Sequence, residues 1–206
     1  MKNNHQLPLD LSPLQKFSFE NYVGGSANRK MLKFLRSPMN WKSPITMLVG
    51  PIGTGKSHIG NAWANETGFL FLDDASQMDE EMLFFQLNLI LNGTGGRLLL
   101  ADKNFPKIWP IQMPDLISRL KSITLVELAE HDDEVLELIM RRVFEAKGRT
   151  VSQGLISYLL KHYERSVPAQ VQIAEMLEKA AQSQKADLSK SFAMKFLKTN
   201  YATIPS

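Results

Sequence analysis

The chain has 206 residues, 44% of them hydrophobic and 22% charged, which is typical of a globular protein with one core and a small appendage. It contains no cysteine, which excludes disulfide bonds and thiolate metal sites. The net charge of +3 is too small to indicate a nucleic-acid partner by itself. Residues 1–6 lack the apolar run of a signal peptide and no stretch is long enough to span a membrane, so we expect a cytoplasmic protein without a membrane partner.

The first sixteen residues, 1–16, are polar and contain prolines, which predicts a flexible tail. Within this tail, the segment Gln6-Leu7-Pro8-Leu9-Asp10-Leu11 places leucines at alternate positions. This alternation suits an extended peptide that docks into the apolar pocket of a partner. It suits equally well a short edge strand that folds back on its own domain. The residues alone leave both interpretations open.

A phosphate-binding P-loop is spelled by Gly50-Pro51-Ile52-Gly53-Thr54-Gly55-Lys56-Ser57. Its glycines let backbone N–H groups close around phosphates, Lys56 can reach the β- and γ-phosphate oxygens, and the Ser57 hydroxyl group can ligate Mg²⁺. The apolar run 45–49 predicts a buried strand before the loop, and 57–65 predicts a helix whose N-terminus faces the phosphates. The chain is therefore predicted to bind a nucleoside di- or triphosphate.

Before the P-loop, an aromatic segment covers residues 17–25 and a predicted helix covers 26–37, with Ser26 as its N-cap. After the loop, His58 lies on the P-loop helix. Packing or surface exposure is its simplest interpretation, and its position also makes it a candidate nucleotide contact.

Two carboxylates, Asp73 and Asp74, follow the predicted strand 69–72. Ligands of α/β sheets bind at the carboxyl ends of the strands, so Asp73 can hold the Mg²⁺ water shell and Asp74 can orient or deprotonate an attacking water. Both aspartates could instead cap the following helix. The P-loop upstream favours the Mg²⁺ role for Asp73 and leaves Asp74 open between general base and cap.

A helix is predicted over 82–91, and a third strand, 97–101, ends at Asp102. Asp102 is a candidate sensor of the γ-phosphate, with a cap or turn residue as the alternative. A structured loop over 105–114 leads to a helix over 115–121 and a last strand over 123–128. Strands that alternate with helices predict a parallel sheet covered on both faces.

From residue 132 onward the pattern is helical, with helices predicted over 132–147, 152–164, 168–182 and 189–200. We therefore expect an α/β subdomain over 17–130 and an α-helical subdomain over 131–206. Two arginines carry open interpretations. Arg119 could form a structural salt bridge or act as an arginine finger in a neighbouring site. Arg165 could fold over the phosphates or solvate a helix end.

Taken together in this order, the motifs resemble an AAA+ module with an α-helical lid. Residues 19–29, which include Tyr22 and Val23, look like the segment before the P-loop that helps hold the adenine in the replication initiator DnaA. Residues 114–120 resemble the arginine-finger box of that family. Glu164-Arg165-Ser166-Val167-Pro168 matches the sensor-2 region of the DnaA-related Hda family, alphaproteobacterial type.

The resemblance to Hda extends to both ends of the chain. Gln6 to Leu11 look like the sliding-clamp-binding peptide of that family, and no helix-turn-helix domain is expected after the lid. The family acts with the DNA-loaded clamp to stimulate ATP hydrolysis by DnaA, which prevents re-initiation. The resemblance thus implies a resident ADP or ATP with Mg²⁺. It implies that Arg119 is the finger that completes the DnaA–ATP site and that Arg165 contacts the chain's own nucleotide. Contact with DNA is then expected mainly through the clamp, and a homo-oligomer is possible.

One feature departs from the family pattern, because only sixteen positions separate Ser57 from Asp73. Relatives usually place a further strand and helix in that interval. We expect that this unit is lost and that the sheet is shorter by one edge strand. Such a loss would leave the P-loop strand covered.

Two other functions compete with the adaptor. An autonomous, helicase-loader-like ATPase is permitted by the P-loop and the two aspartates, although we expect at most a weak ATPase. Direct nucleic-acid binding is suggested by Lys179, Lys185, Lys190, Lys195 and Lys198. Such lysines usually form a solvated face, and the sequence shows no interleaving of aromatic and basic residues.

Overall fold

A parallel sheet forms the centre of the fold in the computed structural model, which describes residues 17–25, 28–93 and 96–200. Within these residues the sheet has four strands in the order β2-β3-β1-β4. The strands are β1 (Ile45–Val49), β2 (Leu70–Leu72), β3 (Leu98–Asp102) and β4 (Thr124–Glu127). Each neighbouring pair is parallel. The predicted N-cap Ser26 and the leucine-rich segment Gln6 to Leu11 lie outside the described residues.

The helices connect the strands and then continue as a separate layer. Those around the sheet are α1 (Arg29–Leu35), α2 (Lys56–Thr67), α3 (Glu80–Leu91) and α4 (Pro114–Leu120). Those that follow it are α5 (Asp133–Ala146), α6 (Gln153–His162), α7 (Val167–Ser183) and α8 (Lys190–Asn200). Short 3-10 helices at Pro38–Asn40, Ala75–Gln77 and Pro106–Ile108 were not predicted.

The edge position of β2 confirms the prediction of a shortened sheet. Within the described residues β2 pairs with β3 alone, with Leu70 opposite Leu98 and Leu72 opposite Leu100. It follows α2 directly, without an intervening strand. The P-loop strand β1 remains between β3 and β4, and all five of its residues are buried. The loss therefore leaves the centre of the sheet intact.

Both faces of the sheet are covered, as predicted. Alternate residues of a strand point to opposite faces, so neighbouring positions in β1 and β3 enter different cores. Met47, Leu98 and Leu100 pack with Leu83 and Leu87 of α3 and Leu116 of α4. Leu48, Leu99 and Ala101 pack with Ile59 and Trp63 of α2.

The four helices after the sheet, α5 to α8, enclose a core of their own and form the lid. All four begin at a side-chain cap that accepts a hydrogen bond from a backbone N–H in the first turn. The caps are Asp132 for α5, Ser152 for α6, Ser166 for α7 and Ser189 for α8. The buried centre of the lid contains Phe144, Leu155, Leu159, Leu177 and Leu197.

An aromatic stack fixes the segment before the sheet to α2. The rings of Phe34 and Trp41, and those of Trp41 and Trp63, are stacked with centroids 5.4 Å apart. The buried indole N–H groups are satisfied, because Trp41 donates to the Phe34 carbonyl oxygen and Trp63 to that of Leu35. This packing holds α1 beside the P-loop helix.

No helix in the described part of the chain is both long and apolar enough to cross a membrane.

Candidate functional site

The P-loop folds around the ammonium group of its own lysine. Lys56 donates hydrogen bonds from Nζ to the carbonyl oxygens of Gly50 and Pro51, at 2.7 and 2.8 Å. The Thr54 hydroxyl group donates to the same Pro51 oxygen at 2.9 Å. Gly53 and Gly55 have φ angles of 82° and 90°, which L side chains rarely adopt, so the loop depends on glycine at both positions.

Three carboxylates face Lys56 from the ends of two strands. Burial lowers the pKa of the Lys56 ammonium group, while the charges of Asp73, Asp102 and Asp74 oppose this effect. Predicted site residues from distant parts of the sequence therefore meet at one edge of the sheet. An anionic phosphate bound here would compete with the two carbonyl oxygens for the ammonium group.

Asp73 and Asp74 do not cap the helix that follows them. Asp79 caps α3 instead, because its side chain accepts a hydrogen bond from Met82 N. One oxygen of Asp73 accepts from the backbone N–H of Asp74 at 3.1 Å, and Asp74 has a left-handed φ of 46° with an exposed side chain. Asp73 and the exposed Ser57 are the residues that would hold Mg²⁺. That role and the general-base role of Asp74 stay predictions.

Asp102 holds the segment that follows β2. Its side chain is 1% exposed, and its two oxygens accept hydrogen bonds from Ser76 N at 2.8 Å and Asn104 N at 2.9 Å. Asp102 thus has the turn-residue role that the sequence left open, and it fixes the backbone just after Asp73 and Asp74. Its role as a phosphate sensor stays a prediction.

Residues 17–25 form a strap over the P-loop. The Tyr22 hydroxyl group donates to the Thr54 carbonyl oxygen at 3.2 Å, and burial raises the pKa of Tyr22 to about 12. The Tyr22 ring centroid lies 6.1 Å from that of His58 and 6.3 Å from that of His131. A ring nitrogen of His58 is 2.9 Å from the Ser18 carbonyl oxygen, so His58 also anchors the strap.

The lid contacts the P-loop at Gly53. A Cβ atom at Gly53 would lie only 2.4 Å from Cδ of Pro168, so the missing side chain permits this close approach. A cavity of about 330 Å³ lies beside the contact. The lid contributes Arg165, Ser166 and Val167 to its lining, and the P-loop contributes Pro51, Ile52, Gly53 and Thr54. Arg165, predicted to reach the phosphates, also pairs with Asp133 at the start of α5.

A second cavity of about 480 Å³ lies between the strap and the lid. Tyr22, Val23 and His58 line it from the strap and α2, and Ile139, Val143 and Ala146 line it from α5. Flat aromatic and aliphatic side chains fit a nucleobase. Both cavities share Gly53, His131 and Val167, so a phosphate chain in the first would be continuous with a nucleoside in the second.

Several lining residues were not predicted from the sequence. They are Glu130, His131, Ile139, Arg142, Val143 and Ala146. They belong to no motif. Glu130 and His131 follow β4 closely, and the other four lie on α5 of the lid. His131 borders both cavities. Its position shortly after the last strand was the one sequence feature that could have indicated a place in the site. Its Nδ1 is buried without a hydrogen-bond partner among the described residues, and burial lowers its pKa.

Arg119 packs on α3. It is not among the residues that line either cavity in the described part of the chain. Its guanidinium carbon lies 4.9 Å from the centroid of the Phe84 ring, and Nε is buried without a partner among the described residues. The structure therefore brings together predicted residues of the P-loop, strap, strand ends and lid. Within the described part of the chain, no side-chain hydrogen bond or ion pair joins Arg119 to them.

Comparison of sequences gives a distant relative of unassigned role. No family model matches the chain. An uncharacterized protein of Haemophilus influenzae is 25% identical over 230 residues, which cover 94% of the chain and 99% of that protein.

Comparison of structures shows the fold. Domain III of DnaA from Thermotoga maritima has a TM-score of 0.73 at 13% identity and covers 90% of this chain and 97% of its own. RuvB, the Holliday junction branch migration motor of T. maritima, has a TM-score of 0.69 at 15% identity, with coverages of 88% and 71%. AMPPCP-bound DnaA from Aquifex aeolicus has a TM-score of 0.62 at 20% identity, and the match covers 84% of this chain and 66% of that one. The predicted fold, an AAA+ P-loop module with a helical lid, is confirmed.

Proposed function

We propose that the chain is a nucleotide-holding AAA+ adaptor that limits the initiation of DNA replication. It binds the sliding clamp through its N-terminal peptide and stimulates ATP hydrolysis by the initiator DnaA. The likeness to DnaA structures supports a role in replication at the level of the fold. The clamp and DnaA as partners follow from the family resemblance of the motifs.

The two continuous cavities support a resident nucleotide. A Lys56 ammonium group held by carbonyl oxygens at 2.7 and 2.8 Å is ready to exchange them for phosphate oxygens. Arg165 of the lid lines the cavity that faces the P-loop. The solved DnaA of A. aeolicus binds AMPPCP, which supports ATP or ADP as the ligand here. We assign Ser57 and Asp73 to the accompanying Mg²⁺.

The position of Arg119 carries the adaptor proposal. An arginine finger stabilises transition-state charge only if its guanidinium group reaches the phosphates. Arg119 is held on Phe84 and lines neither of the chain's own cavities among the described residues. We therefore assign Arg119 to the phosphates of another molecule. In the proposal that molecule is DnaA.

The N-terminal segment supplies the clamp contact. The strap that follows it is attached to α2, since the Phe17 carbonyl oxygen accepts a hydrogen bond from the Asn65 side chain at 3.2 Å. A peptide of sixteen residues before this anchor is long enough to reach a partner without moving the nucleotide site. Gln6 and Leu7, with Leu9 and Leu11, are the residues proposed to enter the clamp.

The test is DnaA ATP hydrolysis measured with the DNA-loaded clamp and this chain. Arg119→Ala and Arg119→Lys should both lose the stimulation, because a lysine cannot reproduce the planar guanidinium group. Arg141→Ala, which removes a half-exposed arginine of α5, is the matched control and should retain it. Gln6→Ala with Leu7→Ala should abolish clamp binding. Full stimulation by Arg119→Ala would refute the proposal.

A second candidate, an autonomous ATPase of the helicase-loader kind, is favoured by the carboxylates around Lys56. Asp73 and Asp74 act on the Lys56 charge, so the groups needed for hydrolysis share one site. Turnover of ATP by the purified chain alone distinguishes the two functions. Steady hydrolysis without clamp or DnaA favours the ATPase, and retained ADP with negligible turnover favours the adaptor.

A further inference from the structure

Aromatic and basic side chains meet on the outer face of the lid, far apart in sequence. Tyr158 and His162 lie one turn apart on α6, with ring centroids 4.7 Å apart, and Tyr163 meets Tyr158 edge-on at 6.1 Å. The lysines of α8 lie beside them. The rings of α6 and the lysines of α8 are far apart in the sequence, because all of α7 lies between the two helices. The folded lid brings them together.

Lys195 and Lys198 of α8 lie on one wall of a groove, and the rings of Tyr158, His162 and Tyr163 form the other. Lys190 places Nζ 5.9 Å from the centroid of the Tyr158 ring. Lys195 and Lys198 line the groove, which has a volume of about 590 Å³, together with Ser191 and Met194. His162 is exposed, so one ring in the groove presents itself to solvent.

The positive charge of this groove is not neutralised locally. None of the groove-lining residues in the described part of the chain is acidic. The lysines at 190, 195 and 198 form no ion pair within the same part, although other basic residues of the lid do. The nearby carboxylate of Glu164 accepts a hydrogen bond from the Ser166 hydroxyl group at 2.6 Å. An anionic ligand would therefore meet uncompensated ammonium groups.

The groove is also separate from the nucleotide site. It shares no lining residue with the two cavities at the P-loop. Nucleotide binding and groove binding can therefore be measured independently. A failure of one assignment leaves the other standing.

We propose that this groove binds single-stranded nucleic acid. The ammonium groups of Lys190, Lys195 and Lys198 contact successive phosphates, and an unpaired base stacks on the ring of His162. Stacking on an aromatic side chain requires an exposed base face, which a duplex hides within its base stack. The combination of a basic wall and an aromatic wall therefore favours a single strand over a duplex.

Fluorescence anisotropy with a labelled oligothymidylate tests this proposal, using the full chain without clamp or DnaA. The double variant Lys195→Gln with Lys198→Gln should weaken binding about tenfold or more at low salt. It should also reduce the slope of log affinity against log salt concentration by about 1.4, since each phosphate contact to a single strand contributes about 0.7. His162→Ala should weaken binding about tenfold, the usual range for one stacked base. The matched control is Lys179→Gln with Lys185→Gln, which removes two lid charges outside the groove.

Four results would overturn the proposal. One is the absence of binding by the unaltered chain at low salt. Another is an equal loss of affinity in the control pair of lysine variants, which would indicate attraction to net charge alone. The third is duplex or inorganic polyphosphate that binds as tightly as the single strand. The fourth is unchanged affinity in His162→Ala, since stacking would then contribute nothing.

Discussion

The Tyr22 hydroxyl group is hydrogen-bonded to the Thr54 carbonyl oxygen, and this bond ties the strap to the P-loop. Asn28 extends the connection. Its Nδ2 donates to the Tyr22 oxygen at 3.3 Å, and its Oδ1 accepts from Ala129 N at 3.2 Å, just after β4. Two side chains thus join the P-loop, the strap and the segment that leads into the lid.

Loss of Asn28 should destabilise the protein more than loss of the Tyr22 hydroxyl group. Asn28 is 2% exposed, and Asn28→Ala leaves the Ala129 N–H without its partner, at a cost of about 1–3 kcal/mol. Tyr22→Phe keeps the ring and removes hydrogen bonds worth about 1 kcal/mol. Urea denaturation measures the loss in free energy of unfolding for each of the two variants. Equal stability of Asn28→Ala and the unaltered chain would show that the connection does not contribute.

His131 should make the protein less stable as the pH falls below about 6.5. Burial lowers the pKa of His131 in the folded protein, and the charge of Asp132 opposes this only in part. Between the unfolded value of about 6.5 and the lower folded value, the unfolded chain binds the proton more readily. The stability contributed by neutral His131 is therefore complete above 6.5 and is lost as the pH falls through the folded value.

The check is the free energy of unfolding of His131→Gln, measured from about pH 7.5 down to about pH 5. The variant should show a shallower decline than the unaltered chain. Parallel curves for His131→Gln and the unaltered chain would contradict the prediction.

Alanine at Gly53 should separate the lid from the P-loop. The new Cβ would lie 2.4 Å from Pro168, and the φ of 82° is strained for alanine. Gly68→Ala is the matched control, because Gly68 has a φ of 73° with no atom within 4 Å of the added Cβ. Both variants should lose about 1 kcal/mol of stability from the strained backbone. Isothermal calorimetry should detect weaker nucleotide binding in Gly53→Ala alone; equal affinities would argue against lid closure.

Lys56 should be required for stabilisation by nucleotide. A ligand at a hundred times its Kd stabilises a protein by about 2.7 kcal/mol, which thermal unfolding detects readily. Lys56→Ala removes a charge-assisted contact to phosphate worth about 1.5–3 kcal/mol, so the shift with ADP or ATP should largely disappear. Lys42→Ala, the control, changes an exposed lysine and should retain the thermal shift with ADP or ATP. An unchanged shift in Lys56→Ala would place the nucleotide elsewhere.

Much of the fold was predictable because its signals are local. The P-loop, the apolar strands and the glycine and proline positions indicated the order of the elements. The helix and strand bounds differ from the predicted ones by at most three residues, and those of β1 coincide with them. The missing edge strand followed from the short interval between Ser57 and Asp73. The exact starts of helices were harder to predict. At α3, for example, the cap is Asp79 and not Asp73 or Asp74.

The rest of the site depends on contacts between distant segments. Nothing in the sequence near Asp102 indicated that its two oxygens would be occupied by Ser76 and Asn104. The lining residues of the lid, such as Arg142 and Val143, reach the site only because Pro168 packs on Gly53. The aromatic and basic groove is of the same kind, since α6 and α8 meet only in the folded lid.

The most direct test of the account asks whose nucleotide is hydrolysed. DnaA is loaded with radiolabelled ATP and this chain with unlabelled nucleotide, and release of labelled phosphate is followed with the DNA-loaded clamp. Asp74→Asn suits this test, because asparagine tolerates the left-handed backbone at that position. We predict rapid release with the unaltered chain and with Asp74→Asn, and release at the unstimulated rate with Arg119→Ala. Loss of release with Asp74→Asn and its retention with Arg119→Ala would contradict the account.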